Sequence, residues 1–137
     1  MLNEDVPDRP ATERLLVLVC YGLFILALVN GITFLIGGVM AHLRREESRG
    51  TVWADHYHNM IIVFWAAILL AALMMGFVFS GLMTAWSLMF WPGWMLSLPL
   101  LGMAAAPLLI LLWLAFGVWY LYRILRGFFR ALDDKPY

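Results

Sequence analysis

The segment from residue 56 to residue 122 contains no aspartate, glutamate, lysine or arginine. A helix needs about 20 apolar residues to cross a hydrocarbon core, so this segment has enough length for two crossings and a connector. The whole chain is 64% hydrophobic and 13% charged, whereas a typical globular domain has about 25% charged residues. These features predict an all-α membrane protein in contact with a lipid bilayer.

The charged residues divide the chain into three regions. Their positions predict a polar N-terminal segment at residues 1–14, a transmembrane helical domain at 15–122 and an amphipathic basic tail at 123–137. No basic field suited to nucleic acid is present, because the formal net charge is zero.

Three apolar runs predict three transmembrane helices, at about residues 15–43, 58–81 and 100–122. The first run would be roughly 43 Å long as one helix, at about 1.5 Å per residue. That exceeds a hydrocarbon core of about 30 Å, so we expect this helix to tilt or to bend near a glycine. Between the second and third runs, residues 82–99 contain Trp-Pro-Gly and a second proline, which predict an interfacial hairpin or a re-entrant loop.

Arginines follow the third run at helical spacing. Arg123, Arg126 and Arg130 share one face of a helix. We expect the third helix to continue into this tail, where the arginines either mark topology or face anionic headgroups.

The basic residues also predict an orientation. With three spans, the loop at 41–57 and the C-terminus lie on one side of the membrane and carry most of the lysine and arginine. We therefore expect a multi-pass protein of the bacterial inner membrane, with a periplasmic N-terminus and a cytoplasmic C-terminus.

Few residues offer chemistry. The single cysteine, Cys20, excludes an intramolecular disulfide and a cysteine-based metal site. His56 and His58 point to different sides of a helix, so they are poorly placed to bind one metal ion. We expect His56 to anchor the second span through a hydrogen bond to backbone or to a neighbouring span. The three spans contain no Asp, Glu, Lys or Arg, which argues against ion-coupled transport, and the sequence indicates no cofactor and no enzymatic activity.

Several residues are candidates for interfaces or anchoring. Asn30 lies within the first run, where we expect a hydrogen bond to a neighbouring helix. The others flank the charge-free segment or stand near its start, and they are Trp53, Asp55, His56, Trp65, Arg123, Arg126 and Arg130.

A set of short motifs resembles a family of small bacterial inner-membrane proteins of unknown function, distantly related to the Tic-type component of the chloroplast inner-envelope translocon. The resemblance covers about residues 15–136 and rests on Tyr21, Gly31-Ile32-Thr33, Ile36-Gly37, Ala41, Arg45, His56-Tyr57, Ile61, Phe64-Trp65, Arg123, Arg126-Gly127, Leu132 and Lys135-Pro136. The family's polar start of the second span is replaced here by His58, Met60, Ile62 and Val63. The resemblance implies a bundle of three or four helices without known catalytic activity.

Three functions remain open on the sequence. The first is a non-enzymatic scaffold, assembly factor or accessory subunit, present as a homo-oligomer or in a hetero-complex. The second is a channel or translocase component with Asn30, Thr33, Ser80 and Thr84 along a polar path. The third is a haem-binding redox anchor that uses His56 and His58.

Overall fold

A computed structural model describes residues 9–90 and 97–137, and the described residues form four helices and no strand. The helices are α1 (Arg9–Leu26), α2 (Gly31–Glu47), α3 (Val52–Phe90) and α4 (Ser97–Leu132). The all-α prediction is therefore confirmed for the described part of the chain.

The first apolar run does not form one helix, and the prediction of a single span at 15–43 is wrong. The chain leaves the helical conformation after Leu26, and Asn30 has extended dihedral angles (φ −141°, ψ 129°). Its Oδ1 accepts a hydrogen bond from the Thr33 backbone N–H at 3.1 Å. Asn30 thus caps the start of α2, a role that asparagine fills well because its side chain replaces a missing helical acceptor. It does not make the hydrogen bond to a neighbouring helix that we expected.

Helices α1 and α2 form an antiparallel hairpin. At its open end, Ser48 Oγ donates a hydrogen bond to Glu13 Oε2 at 2.9 Å. Near its turn, the rings of Phe24 and Phe34 meet edge to face with their centroids 5.4 Å apart. Gly37 makes this approach possible, since an added Cβ there would lie 3.2 Å from the Phe24 ring.

Two described helices, rather than three, are long and apolar enough to cross a membrane. They cover Val52–Trp86, with 35 residues, and Ala105–Leu132, with 28 residues. The second of them includes the start of the basic tail, so the predicted continuation of the third helix past residue 122 is confirmed.

The predicted connector at 82–99 is wrong in its bounds. Residues 82–90 belong to α3 and residues 97–99 to α4. The sequence from Leu82 to Phe90 contains no proline or glycine, so nothing in it ends the helix. The Trp-Pro-Gly part of the predicted connector lies outside the described residues.

The chain divides into two compact units. The first unit comprises Met1–Trp65 and Tyr120–Tyr137, and the second comprises Ala66–Trp119. In the first unit, α1 and α2 pack with the parts of α3 and α4 that belong to it. Among the residues whose side chains are described, the buried apolar ones all lie in this unit, and they are Val17, Cys20, Tyr21, Phe24, Ala41, Trp53, Tyr57, Met60, Val63, Phe64, Tyr120, Ile124 and Ala131.

The second unit contains the remaining parts of α3 and α4. Along an open apolar groove, Met74 and Phe77 of α3 lie near Ala106, Leu109, Ile110 and Trp113 of α4. None of its described side chains is buried. Many large apolar side chains of the second unit are therefore exposed, among them Leu69, Met75 and Val118.

Candidate functional site: a buried polar cluster around His56

The most polar part of the interior is a hydrogen-bonded group in the first unit, which we call the His56 cluster. It consists of Tyr21 from α1, His56 and Asn59 from α3, and the backbone carbonyl of Lys135. His56 and Tyr21 have no exposed surface, and Asn59 is 1% exposed. Polar groups buried to this extent require partners, because an unsatisfied one costs about 1–3 kcal/mol.

The hydrogen bonds fix the proton positions on His56. Its Nε2 lies 2.9 Å from the Lys135 carbonyl oxygen, and a carbonyl only accepts, so Nε2 carries the proton. Its Nδ1 lies 3.2 Å from Tyr21 Oη. Asn59 Nδ2 donates to the same hydroxyl oxygen at 3.3 Å, which leaves the hydroxyl proton free to be donated to Nδ1. His56 is therefore assigned as the neutral Nε2–H tautomer.

Aromatic side chains enclose the cluster. The Trp53 ring lies 5.9 Å from the His56 ring at an angle of 35°, and Trp53 is 7% exposed. Tyr137 also meets His56 edge to face, with the ring centroids 6.3 Å apart. Gly127 lies directly against Tyr21, because an added Cβ would overlap the Tyr21 hydroxyl. The cluster therefore joins α1, α3, α4 and the last residues of the chain.

The hydrogen bonds expected of His56, to backbone and to a neighbouring helix, are both present. Each ring nitrogen of His56 takes part in one of these hydrogen bonds, so neither nitrogen is directed to a haem iron or a metal ion. In His42, Nδ1 lies 2.8 Å from the Gly38 carbonyl oxygen, and Nε2 accepts from Trp65 Nε1 at 3.2 Å. Among the described residues, no group of three His, Cys, Asp or Glu side chains is suited to a metal ion.

The three arginines of the tail bind the last residues of the chain rather than pointing only outward. Arg130 Nε donates to the Pro136 carbonyl at 2.7 Å, and Arg123 Nε donates to Tyr137 Oη at 3.2 Å. The Arg126 guanidinium lies 5.8 Å from the centre of the Tyr137 ring, within the range of a cation–π contact. These contacts hold the chain end in position for the hydrogen bond between Lys135 and His56.

The other predicted residues are dispersed. Asn30 caps α2 and is exposed, Asp55 is exposed in the first turn of α3, and Trp65 is 52% exposed. None of these three contributes to the His56 cluster. The hydroxyl groups of Thr33, Ser80 and Thr84, which were proposed for a polar channel path, donate to backbone carbonyls three or four residues earlier.

A second polar group, partly buried, lies at the open end of the hairpin and was not anticipated from the sequence. Glu13 accepts hydrogen bonds from Ser48 at 2.9 Å and from Tyr57 at 3.5 Å, and Arg44 approaches its other oxygen at 4.0 Å. Nearby, Arg14 forms an ion pair with Asp134 at 3.3 Å and donates to the Leu132 carbonyl at 2.6 Å. Residues 13–14, 44–57 and 132–135 therefore lie at one end of the first unit.

Sequence reasoning missed Tyr21, Asn59, Glu13 and Ser48 as members of polar clusters. Tyr21 and Asn59 stand in or beside apolar runs, where a lone polar group signals a buried hydrogen bond. That signal predicts the need for a partner but not which partner is chosen. No family model, curated protein or solved structure matches the chain.

Proposed function

We propose that this chain is a non-enzymatic integral protein of the bacterial inner membrane that acts as a scaffold, assembly factor or accessory subunit of a larger membrane complex. The observation that carries the proposal is the second unit, whose described side chains include many exposed large apolar residues and no buried one. The exposed apolar side chains of this helix pair must be covered by lipid or by protein. Because lipid tails are as apolar as these side chains, lipid alone does not favour one specific packing arrangement. A protein partner or a further copy of the chain would complete the packing of this unit.

The polar clusters support a structural role over a catalytic one. Both ring nitrogens of His56 and the Tyr21 hydroxyl are engaged in hydrogen bonds within the first unit. A general base would need a free nitrogen near a place where substrate can lie. The resemblance to the Tic-like family of small inner-membrane proteins is part of this proposal.

The proposed topology differs from the one expected for three spans. The hydrogen bond between Glu13 and Ser48 supports placing residues 13–14 and the loop after α2 on the same side of the membrane. The ion pair between Arg14 and Asp134 supports the same side for the last residues. This shared side carries Arg44, Arg45 and Arg49, and from this excess of basic residues we infer that it faces the cytoplasm. The periplasmic N-terminus depended on a single span at 15–43 and is not retained.

The size of the intact particle tests the function. The protein is extracted in a mild detergent and in lipid nanodiscs, and the protein mass of the particle is measured by light scattering and native mass spectrometry. We expect a mass well above the 15.7 kDa of one chain. A monodisperse particle with a single chain in both media would contradict the proposal.

Site-specific photo-crosslinking then locates the partner. A photoreactive amino acid replaces Leu111 or Val118, which are 62% and 71% exposed in the second unit, and Arg49 in the first unit provides the matched exposed control. We expect defined protein adducts from the second unit only. Adducts from Arg49 alone would place the partner elsewhere and would overturn the role assigned to the second unit.

A further inference from the structure

The α1–α2 hairpin has an apolar turn and a charged open end. The residues around the turn include Leu26, Leu28, Val29 and Ile32, which are 54%, 60%, 87% and 72% exposed. Between Leu15 and Leu43 the hairpin contains no Asp, Glu, Lys or Arg, and its charged side chains flank this stretch at Glu13, Arg14 and residues 44–47. A surface with this distribution matches the hydrocarbon of a bilayer at one end and its headgroups at the other.

Several backbone donors of the turn have hydrogen-bond partners within the hairpin. The N–H groups of Ala27, Leu28, Val29 and Asn30 donate to carbonyls of Leu23, Ile25 and Leu26 at 2.9–3.2 Å. Asn30 Oδ1 accepts from the Thr33 N–H, and the Asn30 carbonyl accepts from the Thr33 hydroxyl, both at 3.1 Å. In hydrocarbon an unsatisfied backbone group costs several kcal/mol, so these bonds lower the cost of immersing the turn although the chain leaves the helical conformation there.

The hairpin also lies beside the two candidate spans within the first unit. The Phe34 ring stacks on Phe64 of α3, with centroids 5.1 Å apart. Tyr120 of α4 donates a hydrogen bond to the Phe24 carbonyl at 2.7 Å. Phe64 and Tyr120 belong to the helices that are long and apolar enough to cross a membrane, so the neighbouring part of the hairpin shares their surroundings.

The length of the hairpin indicates whether its turn ends inside the bilayer or reaches the opposite face of the membrane. On α4, Tyr120 bonds to Phe24 of α1, and Arg123, the first charged residue after the charge-free segment, stands about one helical turn beyond Tyr120. From Tyr21 to Val29 the chain advances by roughly 12 Å, and from Leu15 to Val29 by roughly 21 Å, at about 1.5 Å per residue. Both lengths are shorter than a hydrocarbon core of about 30 Å. The turn would thus end inside the bilayer.

We propose that the α1–α2 hairpin is a re-entrant membrane element, which enters the lipid from the side of Glu13 and Ser48 and ends with Val29 among the acyl chains. The proposal rests on the membrane placement of α3 and α4 given under the proposed function. It assigns lipid, rather than water, a second copy or another protein, to the exposed face of the turn.

Single-cysteine labelling tests the proposal in vesicles of phosphatidylethanolamine and phosphatidylglycerol. Cys20, the only cysteine, is replaced by alanine, and Val29→Cys, Arg49→Cys and Leu111→Cys are made one at a time. Each is treated with a membrane-impermeant maleimide before and after detergent. Each is also coupled to an environment-sensitive fluorophore and exposed to lipids with nitroxides at a shallow or a deep acyl position. If Cys20→Ala impairs folding, Cys20 is retained, since it is fully buried, and the labelling stoichiometry checks that only the new thiol reacts.

We expect Arg49→Cys to react in intact vesicles, and Val29→Cys to react only after detergent and to be quenched by acyl-chain nitroxides. Reaction of Val29→Cys in intact vesicles would overturn the proposal, because the turn would then lie in water or emerge on the opposite face. Protection without nitroxide quenching would also overturn it, since protein rather than lipid would cover the turn. Leu111→Cys separates this failure from that of the proposed function, because it reacts only after detergent whenever α4 lies in the bilayer, whether lipid or protein covers it, and its reaction in intact vesicles would instead contradict the membrane placement of α4.

Discussion

The two units use their apolar side chains in opposite ways. In the first unit, buried side chains from α1, α2, α3 and α4 surround two polar clusters, and hydrogen bonds between helices select one arrangement. In the second unit, none of the described side chains is buried, although both helices continue through it. The comparison shows that apolar composition alone does not produce a core, because burial needs additional helices and polar contacts that fix their register.

The same helix, α4, allows the strongest test of this difference. Ile124 in the first unit is 1% exposed, whereas Ile110 in the second is 60% exposed. We expect Ile124→Ala to lower the free energy of unfolding by roughly 2–5 kcal/mol, the range for a buried large-to-small change. Ile110→Ala should change it by less than about 0.5 kcal/mol.

Cys20 provides the measurement. It is the only thiol and has no exposed surface, so a thiol-reactive dye reports thermal opening of the first unit in detergent. The unfolding midpoint should fall clearly for Ile124→Ala and stay near the wild-type value for Ile110→Ala. Equal shifts for the two variants would show that the units do not differ in packing.

Two glycines on α4 allow a comparison of how closely other side chains approach the backbone of this helix in each unit. An added Cβ at Gly127 would overlap the Tyr21 hydroxyl, whereas one at Gly117 would meet nothing within 4 Å. Gly127→Ala must displace Tyr21 from the His56 cluster, and we expect a loss of about 3 kcal/mol, at the upper end of overpacking effects. Gly117→Ala should be neutral or stabilise the helix by up to about 1 kcal/mol. The Cys20 dye assay compares the two, and a neutral Gly127→Ala would contradict the close packing of α1 on α4.

The sequence predicts the two long helices well but not the hairpin, for physical reasons. The charge-free segment from 56 to 122 and the arginines after it predict α3 and α4 because helix length in lipid follows from uninterrupted apolar residues. The helix breaks at Asn30 because its side chain bonds within the turn. The sequence shows only that Asn30 needs a hydrogen-bond partner, and a bond to another helix would meet that need equally well. Likewise the need of His56 for partners is evident in the sequence, but its choice of Tyr21 and the Lys135 carbonyl depends on how the chain end folds back.

Two histidines on α3 allow the loss of the His56 cluster to be compared with a change outside it. His56 is fully buried, while His58 is exposed. His56→Phe retains an aromatic ring but leaves the Lys135 carbonyl and the Tyr21 hydroxyl without their partner, so we expect a loss of about 2 kcal/mol from unsatisfied buried groups. The same change at His58 should have an effect of less than about 0.5 kcal/mol.

The unfolding midpoint and proteolysis of the last residues give two independent measurements for this pair. Because Lys135 is held by His56 at 2.9 Å, His56→Phe should release the chain end and speed its cleavage, whereas His58→Phe should not. If both variants leave the midpoint and the cleavage rate unchanged, the His56 cluster has no structural role.

The smallest expected effect concerns one hydroxyl group. Tyr120 is 6% exposed and donates to the Phe24 carbonyl at 2.7 Å, whereas Tyr122 is 57% exposed and accepts from Arg126 at 2.9 Å. Tyr120→Phe removes a buried hydrogen bond and should cost about 1 kcal/mol, while Tyr122→Phe removes one that water can replace. The Cys20 dye assay should therefore show a lower midpoint for Tyr120→Phe alone. A larger loss for Tyr122→Phe would mean that the tail, rather than the contact between α1 and α4, determines the stability of the first unit.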